Sequence, residues 1–307
     1  MYEFMELAIA YFDATHNHPK AGSTQPVVHT LAAYVATKEN WKRFCKEWRR
    51  ELGRKGLEYF HMTDFEFARS HAVAGKEIPK KSKFYGWSVD EFVPFQQRLH
   101  KVINRKDANG SYRLQARLSA VIKSDFDETI PDELKGDVQC ASYYIFNVIT
   151  VIKGMAIWAN QINHRGPIHY VFSAGDGENG NLERLFADMW NDPTAKPLFR
   201  LSKDYRGKLY SIEPMKEESA LQAADIGAYE IHKAQLEWIA REYVDMPKSE
   251  LRKSLTTLAR TDHYGWLYRK KELAETFNDI IAHNKNWPFF EQMRARAYQN
   301  STKTIAP

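Results

Sequence analysis

Hydrophobic positions along the chain fall into two patterns, unbroken apolar runs and stripes at helical spacing. Leu7 to Phe12 is an apolar run that ends in Asp13 and meets turn residues, as a buried first strand does. Val27 to Ala36, rich in β-branched and apolar residues, predicts a second strand. Trp41, Phe44, Trp48 and Leu52 recur at helical spacing and predict a helix over 38–52, closed by Gly53 and Gly56. A short strand is expected over 57–61. After it, Thr63 and Glu66 have capping-box spacing. Residues 70–88, with Gly, Pro and several lysines, read as a solvated loop. Further along, the pattern predicts a helix over 89–104, a strand over 112–123 and a long helix over 137–161. A short central strand from Ile168 to Phe172 runs into Ser-Ala-Gly-Asp-Gly-Glu. Then come a helix over 182–190, a strand over 209–212 and a helix over 217–238, with everything after Met246 helical and charged. Strands interleaved with helices in this order predict an α/β fold, a mixed sheet covered by helices. The expected division is a domain over 1–245 and a helical C-terminal extension over 246–307 packed on it.

Composition narrows the class without choosing a function. With 43% hydrophobic and 27% charged residues, the 307-residue chain has the make-up of a folded globular protein. A net charge of +5 is compatible with a polyanionic partner and does not demand one. Cys45 and Cys140 are too few and too far apart for a disulfide framework or a cysteine-rich zinc site. The first residues carry Glu3 and Glu6 and no basic segment, unlike a signal peptide. The longest apolar stretch, 143–158, is interrupted by Asn147, Lys153 and Gly154, so no membrane span is expected and a cytoplasmic location is.

Candidate chemistry comes from carboxylates at element ends. Asp13 closes an apolar strand face shared with Leu7, Ile9 and Tyr11, the position where open α/β sheets carry their sites. A cap on the following loop is the plainer role for it. In Leu-Gln-Ala-Ala-Asp-Ile-Gly-Ala-Tyr, helical spacing sets Asp225 beside Leu221, Gln222 and Ala228, which predicts a buried carboxylate. Such a group needs a metal, a cation or several hydrogen bonds, with a core arginine as the ordinary partner. Asp176 and Glu178 follow the central strand in a glycine-rich turn, where acidic residues usually form the turn itself. Together these carboxylates form the kind of oxygen ligand set that Mg²⁺ or Mn²⁺ takes for phosphodiester hydrolysis. His16 is a candidate substitute ligand, and His61 a candidate ligand or general acid. The basic face of the first helix, with Lys42, Arg43, Lys46, Arg49 and Arg50, is either a phosphate-contacting surface or a solvated one.

Three segments carry a family resemblance: Ala10-Tyr11-Phe12-Asp13, Tyr59-Phe60-His61-Met62-Thr63-Asp64, and Glu218-Ser219-Ala220-Leu221-Gln222-Ala223-Ala224-Asp225-Ile226. The last carries the L-Q-x-A-D part of the signature S-x-x-L-Q-x-A-D, with Ser219 one residue nearer to Leu221 than the signature has it. Over roughly residues 5 to 240 the chain resembles the uncharacterised family called domain of unknown function 3800. That resemblance implies a ribonuclease H-like fold and a metal-dependent, nuclease-like activity on DNA or RNA. It sets Asp13 as the first-strand aspartate, Asp225 as the helix aspartate and His61 as the histidine of the H-x-x-[D/E] segment. Where the family usually reads D-E-S-G, this chain has Asp13-Ala14-Thr15-His16, so the second acid and the glycine are missing. The expectation is a Mg²⁺- or Mn²⁺-dependent nuclease using Asp13, Asp225, His61 and either Asp176 or Glu178. A non-catalytic nucleic-acid- or partner-binding protein on the same fold is the alternative.

Overall fold

The first two strands and the third form a meander. β1 (Ala8–His16) pairs antiparallel with β2 (Val28–Thr37), and β2 pairs antiparallel with β3 (Gln115–Ile122). The computed structural model describes residues 7–17, 25–135, 140, 142–175, 178–204, 206–241, 258 and 263–284; residues 263–266 and 283–284 are described by backbone alone. β4 (Ile168–Ser173) lies parallel beside β1, and β5 (Tyr210–Glu213) parallel beside β4. β6 (His263–Tyr268) adds parallel to β3, giving the order β5-β4-β1-β2-β3-β6.

Both faces of this sheet are covered, which is why its strands read as near-continuous apolar runs. On one face lie α1 (Lys38–Gly53), α2 (Met62–Val73) and α3 (Val89–Ile103), whose apolar stripes join Tyr11, Tyr34 and Val171 in one core. The short α4 (Lys123–Thr129) follows β3. On the opposite face α5 (Tyr143–Gln161) and α6 (Asn179–Asn191) bury Ala10, Phe12, Leu31, Val35, Tyr170 and Phe172. α7 (Ala195–Leu198) is a single turn, and α8 (Leu221–Ala240) returns to the first face across β1 and β2. α9 (Lys270–Asn284) packs on α4.

Two glycines set helix-to-sheet distances. A Cβ at Gly227 of α8 would stand 3.0 Å from a Tyr34 ring carbon, 3.3 Å from its hydroxyl and 3.5 Å from the Ala32 Cβ. A Cβ at Gly154 of α5 would stand 3.1 Å from Cδ of the buried Arg117, whose Nε donates to the Gly154 carbonyl at 3.1 Å. The Gly154 that breaks the apolar run of α5 is thus the place where the helix accepts a buried guanidinium.

Several expectations need correction. Residues 57–61 are not a strand: they join no sheet ladder, the Leu57 N–H going back to the Leu52 carbonyl and the Phe60 N–H to the Gln222 side chain of α8. Thr63 and Glu66 do not form a capping box, since the helix begins at Met62 with His61 as N-cap. The lysine-bearing segment is not merely solvated. α2 runs on to Val73, and Ile78 and Phe84 are buried in the core, Phe84 edge-on to Phe65 at 5.5 Å. The segment after Met246 is not wholly helical, because His263–Tyr268 extends the main sheet beyond β3. The long helix begins at Tyr143, capped by the Ser142 hydroxyl, while 136–139 lie outside the described residues. Among the described residues no helix is long and apolar enough to cross a membrane.

Overpacking a core costs about 1–3 kcal/mol, and Tyr34 is wholly buried and has no room to retreat. Gly227→Ala is therefore expected to lower stability by about 1 kcal/mol or more in urea denaturation, although alanine favours a helix by ~1 kcal/mol over glycine.

Candidate functional site

The side chains of β1 alternate, so Ile9, Tyr11, Asp13 and Thr15 face α8 while Ala10, Phe12 and Ala14 face α5. Asp13 pairs across the ladder with Ala32, the residue over which Gly227 lets α8 come close. Phe12 is in register with Phe172, which sets Asp13 beside Ser173 at the end of β4. Asp225 stands one half-turn before Gly227. A cleft of about 400 Å³ opens here, lined by Asp13, Thr15, Tyr59, His61, Ser173 and Asp225, with Thr63 and Met215 also at its wall. Asp13 and Asp225 are both buried, 7% and 5% exposed, where a carboxylate is costly unless something compensates it.

The Leu-Gln-Ala-Ala-Asp motif builds this cleft through two side chains one helical turn apart. Gln222 Oε1 accepts the Trp48 indole N–H at 2.8 Å and the Phe60 backbone N–H at 2.9 Å, while its Nε2 donates to the Met215 carbonyl at 3.1 Å. Asp225 Oδ2 accepts the Met62 backbone N–H at 2.6 Å. The two side chains hold alternate N–H groups of an extended segment. Phe60 and Met62 therefore both point into the core, and His61 between them points out into the cleft. Met62 is the first residue of α2, so Asp225 also places its charge at a helix N-terminus, where the helix dipole favours an anion.

His61 is held from its outer side. Its Nδ1 lies 3.4 Å from Asp64 Oδ2, and the same oxygen is 3.1 Å from Lys83 Nζ. Lys83 in turn lies over the Tyr59 ring, 3.6 Å from its centroid. Burial raises the Asp225 carboxyl from 3.8 to about 6; the nearby His61, the Met62 N–H and Lys83 oppose that rise, and Asp64 adds to it.

Not every predicted residue arrives. His16 falls on the opposite face from Asp13, exposed, with its ring 6.1 Å from that of His29, so it does not line the cleft. Strand alternation over three residues is the reason. Glu178 stands at the start of α6, accepting from the Ser142 hydroxyl at 3.1 Å and from Asn181 Nδ2 at 2.6 Å, and takes no part in the cleft wall. Asp176 lies outside the described residues. The partner foreseen for Asp225, a core arginine, is replaced by the Met62 N–H. The basic face of α1 is largely spent on neighbours: Lys42 and Arg43 reach Glu39, Arg50 reaches Glu51, and Arg49 donates to Ser219. Sequence reasoning missed Lys83, which nothing distinguishes from Lys80 and Lys81. It also missed Ser173, whose place beside Asp13 follows only from the β1–β4 register. Among the described residues no three His, Cys, Asp or Glu side chains converge as a metal-ligand set.

Two outcomes follow from the clamp. Gln222→Leu leaves two buried donors unpaired, each costing about 1–3 kcal/mol, so urea unfolding is expected to show a loss of about 2–6 kcal/mol with altered Trp48 emission. The Asp225 carboxyl keeps its proton to higher pH in the folded chain than in the unfolded one, so its stabilisation is complete below 3.8 and is lost as pH rises through about 6. Asp225→Asn, which keeps an acceptor for Met62, is expected to flatten that slope in urea midpoints taken from about pH 4 to about pH 7. No family model matches the chain, and no curated protein or solved structure matches it closely enough to bring a function with it.

Proposed function

We propose that the cleft between Asp13 and Asp225 is the active site of a divalent-metal-dependent nuclease on a ribonuclease H-like sheet. The observation that carries this reading is the convergence of two buried carboxylates, from a strand end and from a helix, on one open cleft that also presents a histidine. Three antiparallel strands continued by two parallel ones agree with the fold that the resemblance implies.

The residues fit an oxygen-ligated ion. Burial of Asp225 raises its carboxyl, so a cation that favours the charged form relieves a cost present in the fold. Asp13 and Asp225 would hold Mg²⁺ or Mn²⁺, with water and substrate phosphate in the remaining positions, as Mg²⁺ sites commonly have. When bound, such an ion lowers the pKa of a ligated water and offsets phosphate charge. The chain's own groups do the rest. His61, steadied through Nδ1 by Asp64, exchanges a proton with the attacking or leaving oxygen. The hydroxyls of Thr63 and Ser173 line the same wall, placed to donate to phosphate oxygens.

A second reading is favoured by one observation, the lack of a third convergent ligand among the described residues. On it the chain binds nucleic acid or a partner and does not cleave. Calorimetric titration of Mn²⁺, followed by a cleavage assay on single- and double-stranded DNA and RNA, separates the two. The nuclease reading expects Mn²⁺ binding and Mn²⁺-dependent cleavage by the wild type, with cleavage lost by at least two orders of magnitude in folded Asp13→Asn and Asp225→Asn. Cleavage that survives both substitutions contradicts it, and nucleic-acid binding without turnover favours the second reading.

A further inference from the structure

A second concavity lies on the other face of the sheet, between α6 and the edge strand β5, with a volume of about 640 Å³. Its wall combines Trp190, Asn191, Lys203, Lys208 and Tyr210, with Glu183 as the single acidic side chain among the described lining residues. The Tyr210 ring stacks on Phe186 at 4.7 Å and 27° and meets Phe172 at 5.9 Å and 84°, and both Tyr210 and Phe186 line the groove. Trp190 serves its neighbours: Lys196 sits 3.5 Å and Lys203 5.2 Å from its ring centroid, a cation–π arrangement that fixes both charges beside the groove. Lys208 is held by a closed turn, its N–H donating to Asp204 Oδ1 at 2.8 Å and its carbonyl accepting from the Asp204 N–H at 2.8 Å. Neither Lys203 nor Lys208 pairs with a carboxylate among the described residues.

Among the described residues the groove and the acidic cleft share no lining residue, and both have walls near the C-terminal ends of β4 and β5. Ile212 lines the groove and Met215 the cleft, while Ser173, in register with Glu213, stands on the cleft side of the same strand ends.

We infer that the groove between α6 and β5 holds a stretch of single-stranded nucleic acid, its phosphates against Lys203 and Lys208 and a base against Tyr210. The inference rests on the nuclease reading, which makes a nucleic-acid strand the occupant. Cations beside an aromatic residue in one groove are what a strand needs and a small anion does not: phosphates take the charge, and stacking tolerates any base. The bases of a duplex are stacked on one another, so none is free to lie on Tyr210.

The test is fluorescence anisotropy with a labelled oligothymidylate, in the presence of a chelator so that no metal-dependent cleavage occurs. Lys203→Ala/Lys208→Ala is expected to weaken binding and to lower the slope of log affinity against log salt by about 1.4, from two contacts at ~0.7 each on a single strand. Tyr210→Ala is expected to weaken oligothymidylate binding roughly tenfold while leaving competition by inorganic polyphosphate unchanged. Circular dichroism checks that both variants fold. Wild-type affinity in both variants overturns the inference, as does equal loss of oligothymidylate and polyphosphate in Tyr210→Ala. Binding that depends on these residues in a protein that never cleaves with Mn²⁺ upholds the groove and removes the nuclease reading.

Discussion

The geometry of the cleft depends on a side-chain clamp: Gln222 and Asp225, one turn apart on α8, hold the N–H groups of Phe60 and Met62. An extended segment buried outside a sheet has donors that must be paired, and here two side chains do what a neighbouring strand would otherwise do. The spacing matters. Residues three apart on a helix lie on one face, and alternate residues of an extended chain point the same way, so a Q-x-x-D pair matches two N–H groups separated by one residue. What remains between them, His61, is turned toward the cleft. The clamp also ties α1 to the arrangement, because the Trp48 indole shares the Gln222 oxygen.

Close packing makes the clamp reach. Ala223, Ala224, Gly227 and Ala228 keep α8 low against β1 and β2, so that Asp225 comes down beside Asp13 and is buried with it. A carboxylate placed there is raised by burial and answered only in part by one N–H and by His61 and Lys83 nearby. Strain of this electrostatic kind is common at sites that bind or transform charged ligands, and structural ion-pair networks produce it too. The open cleft beside Asp225, shared with a second buried carboxylate, is what favours a functional cause for it.

Much of the frame was legible from pattern alone. The apolar runs of β1, β2 and β4 and the helical stripes of α1 and α8 follow directly from burial on both faces. Asp13 and Asp225 stood out as polar residues where the pattern called for apolar ones. The failures share a cause: each depended on a long-range partner. Residues 57–61 have a strand-like composition, but the N–H groups of Phe60 and of the following Met62 go to α8 side chains 162 and 163 positions away. Phe84 looked like part of a lysine loop, yet it is anchored by Phe65 and Trp87. His16 shared a short motif with Asp13, but strand alternation sent it to the other face. The strand His263–Tyr268 carries no signal beyond its aromatics, and it forms because β3 offers an unpaired edge.

The central proposal is that Asp13 and Asp225 hold a cation in one cleft, with His61 presented beside it by the clamp. Paramagnetic broadening of the histidine ring resonances by substoichiometric Mn²⁺ tests this most directly, because it reports which imidazole lies near the ion without requiring turnover. The account predicts selective broadening of His61, abolished by Asp13→Asn. Broadening centred on His16 and His29, or uniform weak broadening unaffected by that substitution, would contradict it.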